Sequence, residues 1–348
     1  MEEYLNNIFS GIDDNIRLDD EQKKVILDDS KNIMVIAGAG AGKTTVITAK
    51  VKYLIEIKKI KPENILIISF TNKAIEELKQ RINEDFNLNV DISTFHSFAY
   101  NIVNNAENHK EIIVDNKKIL TKLIKKNNET KKIMKYISKN RIYKITKTYR
   151  NSQELIDIVG NFVMRNERQI KKNLFSDKKI NNPIVLYRIK RDIEKVLCYI
   201  TDEIIVEYGL NKNILILGRY KKDIDKVIGN EFSINHENII YRKEKQLRIT
   251  YLTIHSSKGL GYDNVILIMP NSKVYGFPNN KNEDPIRKFL LPNEEKIMEE
   301  RRLFYVALTR TKNKVYIVSN KKNESKFVKE IVKEKNVVVK NMKKHNIK

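Results

Sequence analysis

The sequence predicts an α/β protein built on two parallel sheets, and three observations carry that expectation. An apolar run at 33–36 breaks into Ala37-Gly38-Ala39-Gly40-Ala41-Gly42-Lys43-Thr44-Thr45 and then into a helical pattern to 57, the order strand, glycine loop, helix. Apolar runs at 65–70 and 90–92 each lead into a polar tripeptide and a further helical pattern. The alternation resumes late in the chain, with strands expected at 142–145, 184–189, 214–217, 248–254, 265–269 and 315–319, and helices at 152–164, 192–208 and 294–308. The division expected from this is a first domain over 1–140, a second over 141–320 and a basic tail over 321–348.

The glycine loop carries the most specific chemistry. Alternating glycines let backbone N–H groups curl round phosphate oxygens with no side chain in the way. Lys43 is placed to reach the β and γ phosphates and the Thr44 hydroxyl to hold Mg²⁺. The helix N-terminus beyond it adds its partial positive charge. Ala37 stands where the general pattern has its first glycine. Upstream, Leu18-Asp19-Asp20-Glu21-Gln22 opens a helix with acids in its first turn. Gln22 is an amide near the loop, able to donate to and accept from an adenine edge.

Composition bounds the remaining classes. The chain has 348 residues, 41% hydrophobic, enough for about two domains with sizeable cores. Its one cysteine, Cys198, excludes an intramolecular disulfide and a cysteine-rich metal site, and the five histidines are scattered. No apolar run approaches 18 residues and the N-terminus is acidic, so neither a signal peptide nor a membrane span is expected, and the reading is cytosolic. A net charge of +23 suggests a polyanionic partner. The charge is uneven: Lys117 to Arg150 holds 13 basic residues against the single acid Glu129. The richness in Lys, Asn and Ile together assigns part of the excess to overall composition.

Taken together, Ala37-to-Thr45, Ser69-Phe70-Thr71-Asn72-Lys73-Ala74 and Ser93-Thr94-Phe95-His96-Ser97 resemble motifs I, Ia and Ic of the UvrD/Rep/PcrA helicases of superfamily 1, and Gln22 resembles their Q motif. Lys147-Thr148-Tyr149-Arg150-Asn151-Ser152 is similar to motif IV, Leu252-to-Leu260 to motif V, and Glu299-to-Arg310 to motif VI. The resemblance implies two RecA-like P-loop domains facing each other with ATP and Mg²⁺ in the cleft, and 3′-to-5′ movement on DNA. It assigns Gln22, Gly38, Ala39, Gly40, Ala41, Gly42, Lys43, Thr44, Thr45 and Tyr149 to the nucleotide. Lys43, Arg150 and Arg310 would serve catalysis, Arg310 as an arginine finger, because guanidinium groups stay charged and grip phosphate oxygens in a fork. Phe70, Thr71, Asn72, Thr94 and His96, with His255, Ser256 and Lys258, would face single-stranded DNA or a single-/double-strand junction.

The chain departs from that pattern in one interval. Hydrolysis in this family uses an Asp-Glu pair on a buried strand, followed by a second strand ending Gly-Asp. Both belong between Ser97 and Tyr149, where Glu107, Glu111, Asp115 and Glu129 are the only acids and none are adjacent. Asp202-Glu203 falls mid-helix in the second domain and is not read as a substitute. The first domain is therefore expected to be incomplete, with the strand at 33–36 short of a neighbour unless a segment such as 111–114 fills the slot. The join near Lys139-Asn140-Arg141 reads as an internal deletion. The family's inserted subdomains have little room. Gly261 stands where motif V usually carries a glutamate, and a ribose contact is lost with it. Strand separation and hydrolysis are in question on this reading; the alternatives are a non-hydrolysing ATP- and DNA-binding module and a deleted helicase remnant. The chain has no Asn-Lys-x-Asp guanine reader after the loop, which disfavours GTP.

Overall fold

The computed structural model describes residues 1–107, 141–167, 169–190, 192–269, 277–279 and 293–342. The chain divides into two compact units: Met1–Gly38 with Gly42–Thr146, and Ala39–Ala41 with Lys147–Lys348. Among the described residues no helix is long and apolar enough to cross a membrane.

Unit 1 begins with α1 (Glu2–Asn6) and α2 (Asp20–Leu27). Asp19 and Gln22 close a reciprocal capping box at the start of α2, the Asp19 side chain accepting from the Gln22 N–H at 2.8 Å and Gln22 Oε1 accepting from the Asp19 N–H at 3.1 Å. The loop strand β1 (Ile33–Ala37) leads through the glycines into α3 (Lys43–Glu56). Next come β2 (Leu66–Ser69), α4 (Asn72–Lys79), β3 (Asp91–Thr94) and α5 (Phe95–Glu107). The strand β4 (Arg141–Ile145), expected to open the second domain, pairs parallel with β1 instead, Ile33 opposite Arg141 through Ala37 opposite Ile145. Two further bonds hold it in unit 1: the Tyr143 hydroxyl donates to Asp28 at 2.8 Å and the Thr146 N–H to Glu21 at 2.7 Å. The segment 111–114, a candidate for that slot, lies outside the described residues.

Among the described residues β2 pairs with β3, and that pair is separate from β1–β4. Val51, Leu78, Ile82, Val90 and Ile92 form a small core beneath it. Ile33-Met34-Val35-Ile36 and Leu66-Ile67-Ile68 have the unbroken apolar character of strands covered on both faces. Yet Val35, Leu66 and Ile68 are 38%, 40% and 43% exposed.

Unit 2 realises the same kind of sequence in full. Its elements are α6 (Gln153–Met164), β5 (Ile184–Ile189), α7 (Ile193–Tyr208), β6 (Ile214–Gly218), β7 (Phe232–Asn235), β8 (Asn238–Tyr241), β9 (Ile249–Thr253), β10 (Asn264–Met269), α8 (Asn293–Leu308), β11 (Val315–Asn320), α9 (Lys326–Ile331) and β12 (Val337–Asn341). One eight-stranded sheet runs β12-β5-β11-β10-β6-β9-β8-β7, parallel from β12 to β9 and antiparallel through the β7–β8 hairpin. The pleat sends Leu215 and Leu217 to one face and Ile214 and Ile216 to the other, all fully buried. On the first face α6, α8 and α9 meet through Phe162, Phe304 and Phe327, with ring centroids 5.3 to 5.7 Å apart. On the other face α7 lies down through Val196, Leu197, Ile200 and Ile204.

The described part of the region read as a basic tail, 321–342, is built into this unit. β12 pairs with β5, and α9 supplies Glu330, whose carboxylate takes two bonds from Arg301 and one from Arg165. Asp202 and Glu203 are likewise structural: Asp202 accepts from the Tyr241 hydroxyl at 2.8 Å, and Glu203 holds Lys340 and the Tyr187 hydroxyl.

Candidate functional site: a glycine loop and two arginines

The loop is shaped by its glycines. Gly40 and Gly42 sit at φ +72° and +73°, in the left-handed region that side chains resist. At both positions a Cβ would also collide with a neighbour. At Gly40 it would stand 2.4 Å from Arg150 Cβ and 2.7 Å from Thr148 Oγ1; at Gly42, 2.7 Å from Gln22 Nε2. Gly42 is the N-cap of α3, so Lys43, Thr44 and Thr45 form its first turn, where backbone N–H groups lack helical acceptors. Lys43 is exposed on this turn, and its ammonium donates to the Gly38 carbonyl at the foot of the loop. Thr44 and Thr45 are half-buried beside it. Glycine at these two positions lets the loop keep its left-handed turns while packed closely on its neighbours, and the helix N-terminus and the lysine beyond it suit an anion such as phosphate.

The crown of the loop, Ala39–Ala41, packs within unit 2 against residues 148–150. The Thr148 hydroxyl donates to the Ala39 carbonyl at 2.8 Å and the Tyr149 N–H to the Gly40 carbonyl at 3.1 Å. Tyr149 leaves half its ring exposed, with the Lys147 ammonium 5.5 Å from its centroid. Arg150 reaches across to the turn after β9, where Nη1 donates to the Leu260 carbonyl at 2.9 Å and Nη2 to the Gly259 carbonyl at 3.2 Å.

Arg310, at the end of α8, arrives at the same place. It is buried, and its Nη1 donates to that same Leu260 carbonyl at 3.1 Å, while Nε donates to the Val306 carbonyl at 2.9 Å. Burial, and then the adjacent Arg150 charge, lower its affinity for its proton. Burial raises the Tyr305 phenol beside it, against the pull of Arg310 and of the Ala39 N–H. Two cations therefore converge on one uncharged oxygen under the crown of the glycine loop. That arrangement favours an incoming polyanion.

The residues expected at DNA stand at strand C-terminal ends, as ligands do in open parallel sheets. In unit 1, Phe70 comes directly after β2 and is 81% exposed, and Asn72 and His96 are exposed too. The Thr71 hydroxyl caps α4 by accepting from the Ala74 N–H at 3.3 Å. In unit 2, His255 and Lys258 are exposed after β9 and Ser256 is half-buried.

The two units repeat one local device that motif reasoning alone misses. In Thr94-Phe95-His96-Ser97 the threonine Oγ1 accepts from the Ser97 N–H at 3.0 Å and bonds its hydroxyl at 2.8 Å. In Thr253-Ile254-His255-Ser256 the same bonds measure 3.2 and 2.8 Å. The tetrapeptide Thr-x-His-Ser, each time ending a parallel strand, is the signal that marks Thr253. Gln22 is buried, its oxygen engaged in the capping box and its nitrogen against Gly42. Among the described residues no group of three or more His, Cys, Asp or Glu side chains is arranged to hold a metal ion.

The family described as UvrD/REP helicase N-terminal domain matches residues 18–255. A probable DNA helicase II homolog of Mycoplasma capricolum is 31% identical over 234 residues, 63% of this chain and 31% of that protein. DNA helicase IV of Escherichia coli is 34% identical over 198 residues, 55% of this chain and 26% of the helicase. ATP-dependent DNA helicase PcrA of Staphylococcus aureus is 37% identical over 86 residues, 24% of this chain and 12% of that one. The chain spans less than a third of the length of each of these relatives.

Proposed function

The chain belongs to the UvrD/REP helicase family, and from that premise we propose that it binds ATP at the glycine loop and single-stranded DNA at the strand ends, coupling ATP turnover to movement on DNA. The observation that carries the reading is the convergence of Arg150 and Arg310 on the Leu260 carbonyl beneath the loop crown. Lys43 and the first turn of α3 offer donors to the phosphates of a nucleotide, and paired guanidinium groups suit a polyanion of that kind. Mg²⁺ would enter with the nucleotide, which supplies most of its oxygens, and Thr44 would add a hydroxyl. Tyr149 offers a flat face to the base. When charge moves on the transferring phosphoryl group, Arg310 is the residue to meet it. Phe70 offers a ring for a base to stack on. The Thr-x-His-Ser turns of both units offer N–H and hydroxyl groups to DNA phosphates. The partner is single-stranded DNA or its junction with duplex, and the place of action the cytoplasm.

A second reading, ATP-gated DNA binding without turnover, is favoured by the sequence interval between Ser97 and Tyr149, which holds no adjacent acidic pair. DNA-stimulated phosphate release separates the two. The first reading expects single-stranded DNA to raise the rate above that of Lys43→Ala. A rate equal to that of the variant, with DNA affinity still ATP-dependent, leaves the second.

A further inference from the structure

Gly261 lies in the turn that holds both arginines, and an ideal Cβ there would stand 2.8 Å from Arg150 Nε, 2.9 Å from Cζ and 3.1 Å from Nη2. Arg150 is thus closed in by glycines at both ends: Gly40 against its Cβ and Gly261 against its guanidinium. The head packs against the backbone of 259–261 and donates to two successive carbonyls there. Any side chain at 261 would lift the head from those carbonyls and away from the oxygen it shares with Arg310.

We infer that Gly261 is a positioning residue for Arg150: it sets where that guanidinium stands relative to Arg310, and so the spacing of the two charges offered to a nucleotide's phosphates. This rests on the reading of Arg150 as a phosphate-binding group. The constraint is one of space. Gly261, unlike Gly40, is not among the glycines with a positive φ, so the glycine is explained by the arginine lying on it.

The test is a double-mutant cycle on the full chain, using equilibrium titration with a fluorescent ATP analogue and Mg²⁺, and thermal melting. Gly261→Ala is expected to weaken binding by about tenfold on its own and to change nothing further in an Arg150→Ala background, because coupling of this size arises between residues in contact. Equal losses in both backgrounds, or no loss from Gly261→Ala, overturn the inference. If Gly261→Ala melts early, the double variant decides: recovery of the melting temperature once the Arg150 side chain is gone supports the contact, and no recovery overturns it. An Arg150→Ala protein that binds the nucleotide as well as the native chain refutes the underlying phosphate role instead, and is distinguishable by that single variant.

Discussion

Replacing Arg310 with methionine separates a functional arginine from a structural one. The two Nη1 atoms that share the Leu260 carbonyl, at 2.9 and 3.1 Å, bring the guanidinium charges close together. Unit charges about 6 Å apart at an effective dielectric near 20 repel by about 3 kcal/mol. The bonds lost in the variant are partly covered: Leu260 keeps its donor from Arg150, and the Val306 carbonyl keeps the Thr309 hydroxyl at 3.2 Å. Methionine has similar length and carries no desolvation cost, and replacing a buried charge by an apolar side chain is often neutral or stabilising. Without nucleotide, Arg310→Met is therefore expected to melt between the native temperature and about 12 °C above it, taking about 2–4 °C per kcal/mol for a unit of this size. Its affinity for ATP is expected to fall roughly 10- to 100-fold, the loss of a charge-assisted bond to phosphate. Thermal melting with and without MgATP, beside a nucleotide titration, measures both. A fall of more than about 5 °C without nucleotide, together with native ATP affinity, would show that Arg310 is a strut and refute the reasoning.

The same geometry sets two further outcomes. Phe70→Ala removes an 81% exposed ring, so melting is expected to be unchanged, while affinity for single-stranded DNA falls by about 1–3 kcal/mol in a fluorescence anisotropy titration; native affinity would remove Phe70 from the DNA surface. Burial raises the Glu330 carboxyl, but its bonds from Arg301 and then Arg165 outweigh that and hold it below the usual range, so it contributes stability above the unfolded carboxyl value. The contribution is lost as pH falls through the folded value, below about pH 4, and Glu330→Gln should flatten the pH dependence of unit 2 melting in that window.

Much of this architecture was legible because buried parallel strands announce themselves as unbroken apolar runs. The strands expected at 184–189, 265–269 and 315–319 form within a residue of those bounds. The hairpin at 232–241 was not anticipated. Its strands have four residues each, and its turn depends on His236 at φ +56°, a conformation no simple dipeptide signal marks. β12 was hidden by charge: Val337-Val338-Val339 sits among lysines, and its value comes from β5, far earlier in the chain. The strand expected at 142–145 forms, but in unit 1 and not in the second domain where the sequence places it. Asp28, Glu21 and β1 decide its place, and all are distant in sequence. At the site, the loop and the two arginines could be named from motifs. That the arginines share one carbonyl, and that Gly40 and Gly261 leave room for Arg150, are long-range facts which no local pattern encodes.

The central claim is that the glycine loop holds a nucleotide by its phosphates, and equilibrium binding of ATP to the native chain and to Lys43→Ala tests it most directly. The native chain should bind with saturable affinity, and the variant at least about tenfold more weakly, since an ammonium–phosphate contact is worth on the order of 1.5 kcal/mol or more. Identical titration curves for the two proteins would contradict the account.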